Sequence, residues 1–246
     1  MIEVRTKYQT SIFGNFKDIM PTSEIIKKLL DLFSDKNFLP STFQELSPGL
    51  EGPQTRIQLV TLNNEWIIHF ATHRIDIEQK NPTLAEDKTE YLKSFIQESL
   101  EIFKRILEAF RKRSNRLSLV TGGLLKEMSE DKLKRIYILF YKPIDFYKTN
   151  PPFEWNSRHV SRIKRAIGEI EEEINIITNI DRLKGGMIKD NQHIPFDRIG
   201  IGFDINTAGE NDNLRFGFEE ISLFYDLCIE IRDNILQDIK ERLNER

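Results

Sequence analysis

Two acidic residues and a lysine at alternate positions are the first groups in this chain that could do chemistry: Asp76, Glu78 and Lys80, in the run Asp76-Ile77-Glu78-Gln79-Lys80. In a metal-dependent nuclease, carboxylates of this kind hold Mg²⁺ and a lysine steadies the attacking water. The run resembles the tail of such a motif, which normally draws its first carboxylate from a separate strand. Charges alternating with Ile75 and Ile77 also describe any half-exposed strand.

The second cluster is cationic. Arg158, His159, Arg162, Lys164 and Arg165 fall within eight residues of one another, close to Phe153 and Trp155. Guanidinium and ammonium groups contact phosphates and aromatic rings stack on bases, so this is a candidate nucleic-acid or phosphate-binding patch. The acidic run Glu169, Glu171, Glu172 and Glu173 follows directly. Ion pairing within the chain, or between subunits, is the simpler use of both.

The other reactive types point away from catalysis. His69 and His73 share strand parity, which in an unbroken strand sets them roughly 13 Å apart, too far for one metal ion; a turn at Ala71-Thr72 would shorten this. His159 and His193 stand in polar settings, and there is no HExxH or Cys/His cluster, so no metal site is expected. No phosphate-binding GxxxxGK[ST] and no GxSxG occurs, and Gly200 and Gly202 lie inside a strand pattern, where they mark a bulge or a close backbone contact. The single cysteine, Cys228, falls on an apolar helical stripe, where a buried and inert thiol is expected.

Composition limits the partners. The net charge of −3 leaves no molecule-wide positive field, so any hold on nucleic acid must be local. A lone cysteine suits a reducing compartment, the opening Met-Ile-Glu-Val-Arg lacks a signal peptide's apolar stretch, and hydrophobic windows are short. A cytoplasmic protein without membrane contact is the expectation. At 246 residues, one large domain or two fused halves are both allowed.

The elements that must position these groups follow from periodicity. Residues 2–16 read as a strand, Pro21-Thr22-Ser23 starts a helix reaching Asn37, and a loop carries Pro40, Pro48, Gly49, Gly52 and Pro53. Residues 56–60, 66–70 and 74–78 form an antiparallel meander with a turn at 62–65. Residues 83–113 form an amphipathic helix whose basic end suits the helix dipole. Next come a strand at 116–125, an apolar-rich segment at 133–141 and a loop at 146–152. Residues 160–167 fit either strand or helix. Residues 174–178 and 198–205 form a hairpin across a connection containing Gly185-Gly186 and Pro195, and a helix spans 218–243. Each half, 1–113 and 114–246, ends in a long amphipathic helix after a set of strands. The expected fold is α+β, with antiparallel sheets each covered by a long helix; a duplicated unit explains the order.

Several of these segments together resemble a sporadically distributed bacterial family of soluble proteins without an assigned activity. They are Arg56-Ile57-Gln58-Leu59-Val60, the run from Asn64 through Trp66 and His69 to Ile77, the helix after Pro82, and Arg198-Ile199-Gly200-Ile201-Gly202-Phe203-Asp204-Ile205-Asn206 leading to the last helix around 224–235. Residues 122–165 fit that pattern least. The resemblance implies an α+β fold, a bacterial cytosol and mobile or defence-associated loci, and it carries no active-site residue.

The expected function is therefore a non-enzymatic binding or accessory subunit acting through a protein partner, with homo-oligomerisation open and no cofactor. The alternatives are a metal-dependent nuclease or nucleic-acid-binding effector, with Mg²⁺ on Asp76 and Glu78 or phosphate on the 158–165 patch, and a small-ligand sensor with its pocket between sheet and helix.

Overall fold

The structure is a computed structural model, and it describes residues 1–46, 52–80, 87–189 and 192–244. The loop prolines and glycines at 48–49 and the first residues of the expected helix at 83–86 lie outside the described residues. One continuous nine-stranded antiparallel sheet organises the chain. Its strands are β1 (Ile2–Phe13), β2 (Phe38–Glu45), β3 (Gln54–Thr61), β4 (Trp66–Phe70), β5 (Arg74–Gln79), β6 (Arg116–Leu125), β7 (Trp155–Ile167), β8 (Ile170–Lys189) and β9 (Gln192–Thr207). Their spatial order is β2-β3-β4-β5-β1-β6-β9-β8-β7, so the two halves join where β1 pairs with β6. The boundary at residue 113 falls between two elements, and the sheet runs across it.

The helices are α1 (Ser23–Leu32), α2 (Thr89–Phe110), α3 (Glu130–Phe140), the short α4 (Asp145–Thr149) and α5 (Phe218–Asn244). Local chemistry sets their starts. The side chains of Thr22 and Ser129 accept from the N–H groups of Ile25 and Lys132, and Glu220 accepts from the N–H of Gly217 at 2.7 Å ahead of α5. The long helices α2 and α5 pack on the same side of the sheet. Their residues Leu92, Phe95, Phe103, Phe224, Tyr225 and Cys228 share one core with Tyr8, Ile12, Ile75, Ile77, Leu117, Leu119 and Ile205. A second cluster joins α3 (Leu133, Ile136, Tyr137) to Trp155, Ile180, Ile201, Phe203 and Ile239.

Three expectations need correction. Residues around Pro40 form the edge strand β2 instead of a loop; an edge strand need not donate every N–H, so proline is tolerated there. Residues 133–141 and 146–152 hold the helices α3 and α4. The connection through Gly185, Gly186 and Pro195 is itself paired, with Gly186 opposite Pro195, because β8 and β9 extend as a ribbon beyond the pairing of their neighbours. A proline in such a ribbon breaks no ladder on its free side.

At the central seam, Gly122 and Gly123 lie opposite a register shift in β1 between Arg5 and Lys7, and a second shift, between Ile2 and Val4, falls opposite Leu124 and Leu125. A Cβ on Gly123 would collide with the Ile2 side chain and lie 2.9 Å from the Val4 carbonyl oxygen. Gly123→Ala is therefore expected to cost about 1–3 kcal/mol of stability, as overpacking against backbone does. Urea unfolding checks this; an unchanged midpoint would show that the seam relaxes freely.

Candidate functional site: the uncovered sheet face and its edge

With both long helices on one side, strand alternation decides which side chains reach the other. In β5, Ile75 and Ile77 enter the helix-covered core, so Asp76 and Glu78 stand together on the uncovered face. Asp76 is buried there and its carboxylate is fully engaged. Its Oδ1 accepts from Ser11 Oγ at 2.6 Å and from Gln9 Nε2 at 3.4 Å, and its Oδ2 lies 2.9 Å from Arg74 Nε. Lys80 lies just past the end of β5, exposed, with its backbone N–H donating to the Glu65 carbonyl at 2.8 Å. A Mg²⁺ ion would have to displace Ser11 and Arg74 to reach Asp76. Among the described residues, no three His, Cys, Asp or Glu side chains converge as a metal-binding group.

A turn through Ala71 separates β4 from β5, and His69 sits directly opposite Asp76 in the register. Its ring stands edge-on to Phe43 at 5.2 Å, while His73 is exposed at the turn. Burial lowers the His69 pKa below the ordinary imidazole value, against the raising charges of Asp76 and Glu78. The unfolded chain therefore binds this proton at higher pH than the folded chain. Stability is lost as pH falls from the ordinary imidazole pKa through the folded one. His69→Gln is expected to flatten that stretch of the decline, measured as urea midpoints from about pH 7 to about pH 5. An unaltered slope would mean that His69 titrates alike in both states.

The basic cluster divides. In β7, the outer strand of the sheet, alternation sends Arg158, Arg162 and Lys164 to one face and His159 and Arg165 to the other. Arg162 donates to Asn175 Oδ1 at 2.8 Å, Glu173 Oε2 at 3.1 Å and Glu210 Oε1 at 3.1 Å. Lys164 stands opposite Glu173 and Arg165 opposite Glu172 in the β7–β8 register. The acidic run thus folds back onto the basic one. His159 Nε2 lies 2.8 Å from Ser157 Oγ, and Trp155 turns to the helix side against Tyr137 and Tyr141. Cys228 is buried, and burial pushes its thiol pKa well up, away from a reactive thiolate.

Sequence reasoning missed one surface. Ile138, Ile144, Phe146, Tyr147 and Phe153, on α3, α4 and the links after them, are all between 42% and 66% exposed. Phe146 and Tyr147 pack edge-to-face on each other at 5.3 Å, and α4 buries none of its residues. The signal was available: the four large apolar residues Ile144, Phe146, Tyr147 and Phe153, beside Pro143, Pro151 and Pro152, have no periodic face to cover.

Fold and surfaces together define an α+β protein built on one large antiparallel sheet, and among its described residues no helix is long and apolar enough to cross a membrane. No protein-family model, curated protein or solved structure matches the chain.

Proposed function

We propose that this chain is a non-enzymatic binding subunit that acts through a protein partner, and that the partner docks on the apolar segment at 138–153. The observation that carries this reading is the exposure of five large apolar side chains in one stretch beside the end of β7. Contiguous exposed apolar surface marks protein–protein interaction sites, and Phe146 packed on Tyr147 is the start of such a surface here. The charged groups offer less to a substrate, because Asp76 and Arg162 already have partners within the chain. A cytosolic setting in a mobile or defence-associated system, as the resemblance implies, belongs to the same reading. So does descent from a duplicated unit. Each half runs from a strand through one helix (α1) or two (α3 and α4) to a meander of four or three strands and a long helix, with the last meander strand beside the half's first strand: β5 beside β1, and β9 beside β6.

Proximity labelling in the native host tests the docking surface. Phe146→Ser with Phe153→Ser is expected to abolish labelling of a specific protein, while Leu62→Ser, which alters an exposed apolar residue elsewhere, leaves it intact. Identical labelling by all three proteins would refute the docking surface. A doubled mass in light scattering that the paired substitution reduces to a monomer would make the partner a second copy.

A further inference from the structure

The uncovered face carries two adjoining hollows that the reading above does not use. The larger, about 550 Å³, is lined by Phe13 and Phe43 with His69, His73, Arg74 and Asp76 among its polar groups. The smaller, about 230 Å³, shares Phe13 and His73 and adds Asn115, Arg116 and Asp212. The larger falls within the roughly 300–1,000 Å³ typical of small-ligand sites. Phe13 and Phe43 supply the aromatic wall of the larger hollow, and the smaller is polar apart from the shared Phe13 ring and two glycines.

Arg116 lines the smaller hollow and packs on the ring that the two share. Its guanidinium lies over the Phe13 ring, 4.9 Å from the centroid, and its Nη2 donates to Asn206 Oδ1 at 3.0 Å. Its Nε is buried without a hydrogen-bond partner, and so is Oδ1 of the adjacent Asn115. A buried donor and a buried acceptor left unpaired each carry a desolvation penalty, which a bound group with matching polarity removes. Anionic oxygen is the natural acceptor for an arginine N–H, and a hydroxyl can donate to the asparagine oxygen. Arg74 and His73 add donors at the rim. Asp76 and Glu45 bring less negative charge to bear than their number suggests: Arg74 pairs with Asp76, while Glu45 Oε2 accepts from Thr72 and lies 3.7 Å from Arg56 Nε.

We infer that these hollows bind a nucleotide unit, with its base against Phe13 and Phe43 and its phosphate and sugar hydroxyls at Arg116 and Asn115. The site is independent of the protein-docking segment, and either can fail without the other. The unit is either a free mononucleotide or one residue of a single strand, since base stacking and phosphate contact serve both.

Calorimetric titration with AMP, CMP, adenosine, inorganic phosphate and a short single-stranded oligonucleotide tests the inference. At least one mononucleotide is expected to bind saturably, and adenosine and phosphate alone at least about tenfold more weakly. Arg116→Gln and, separately, Phe43→Ser on the edge strand are expected to weaken binding by about tenfold or more. The Phe43 variant keeps the test valid if Arg116→Gln unfolds the protein. An oligonucleotide that binds more tightly than AMP and is displaced by it identifies a strand as the source; an oligonucleotide that does not compete identifies the free nucleotide. Absence of saturable binding by every probe at millimolar concentration, or equal binding by wild type and both variants, overturns the inference.

Discussion

Arg232→Ala is expected to lower the unfolding free energy by about 3–5 kcal/mol, the range seen when one partner of a buried ion pair is removed. Arg232 is 2% exposed and faces inward from α5. Its guanidinium pairs with Asp87, donates from Nη1 to Asp233 Oδ1 at 3.1 Å and from Nε to Thr121 Oγ1 at 3.1 Å, and lies 5.8 Å from the centre of the Phe203 ring. The Tyr8 hydroxyl donates to the same Asp87 carboxylate, and burial together with that negative charge raises the tyrosine pKa, so it remains a neutral donor across the working range. Without Arg232, Asp87 would be left as a desolvated anion held by one hydroxyl. Replacing both charges, as Arg232→Met with Asp87→Leu, is expected to recover most of the loss, because the desolvation cost disappears with the attraction. Urea denaturation measures both variants. A loss under about 1 kcal/mol for the single variant would indicate that water reaches the pair.

Phe103→Ala is expected to cost about 3–5 kcal/mol and to shift unfolding equally at both ends of the sheet. Phe103 is fully buried on α2 and stacks on Tyr225 of α5 with ring centroids 6.3 Å apart, and the Tyr225 hydroxyl in turn donates to the Ser11 carbonyl in β1. One residue therefore connects both long helices and the central strand. The two tryptophans report separately, Trp66 in β4 and Trp155 in β7. In a cooperative unit their fluorescence transitions move together when Phe103 is truncated. A shift confined to Trp66 would mean that the halves unfold independently.

Much of this architecture was legible because alternation and helical period are local signals. The run 74–78 announced which face Asp76 and Glu78 would share, and Pro21-Thr22-Ser23 placed the start of α1 to within a residue, although the helix ends at Leu32 and not at Asn37. The stretch 160–167 in β7 was ambiguous for a physical reason: only Ile163 and Ile167 reach the core from it, a spacing of four that suits a helical turn as well as a strand, and the residues between them are charged or small. Residues 133–141 read only as apolar, although Ser129 followed by Glu130 and Asp131 is a helix start that could have been recognised. The buried network around Arg232 was not legible. A charged residue within an amphipathic helix reads as surface, and its partner Asp87 lies in a different part of the chain. The same holds for the hollows, since Phe13, Phe43 and Arg116 come from three strands that only the sheet order brings near one another.

The position of β1 bears on how the molecule is made. Among the strands of this sheet β1 is made before the others, yet it is flanked in the finished sheet by β5 and β6, both synthesised much later. Until Arg116–Leu125 emerges, a nascent chain carries one flank of that strand bare, and a bare flank is a template for another growing chain. Slowing translation after β6 should therefore raise the soluble yield more than slowing it before.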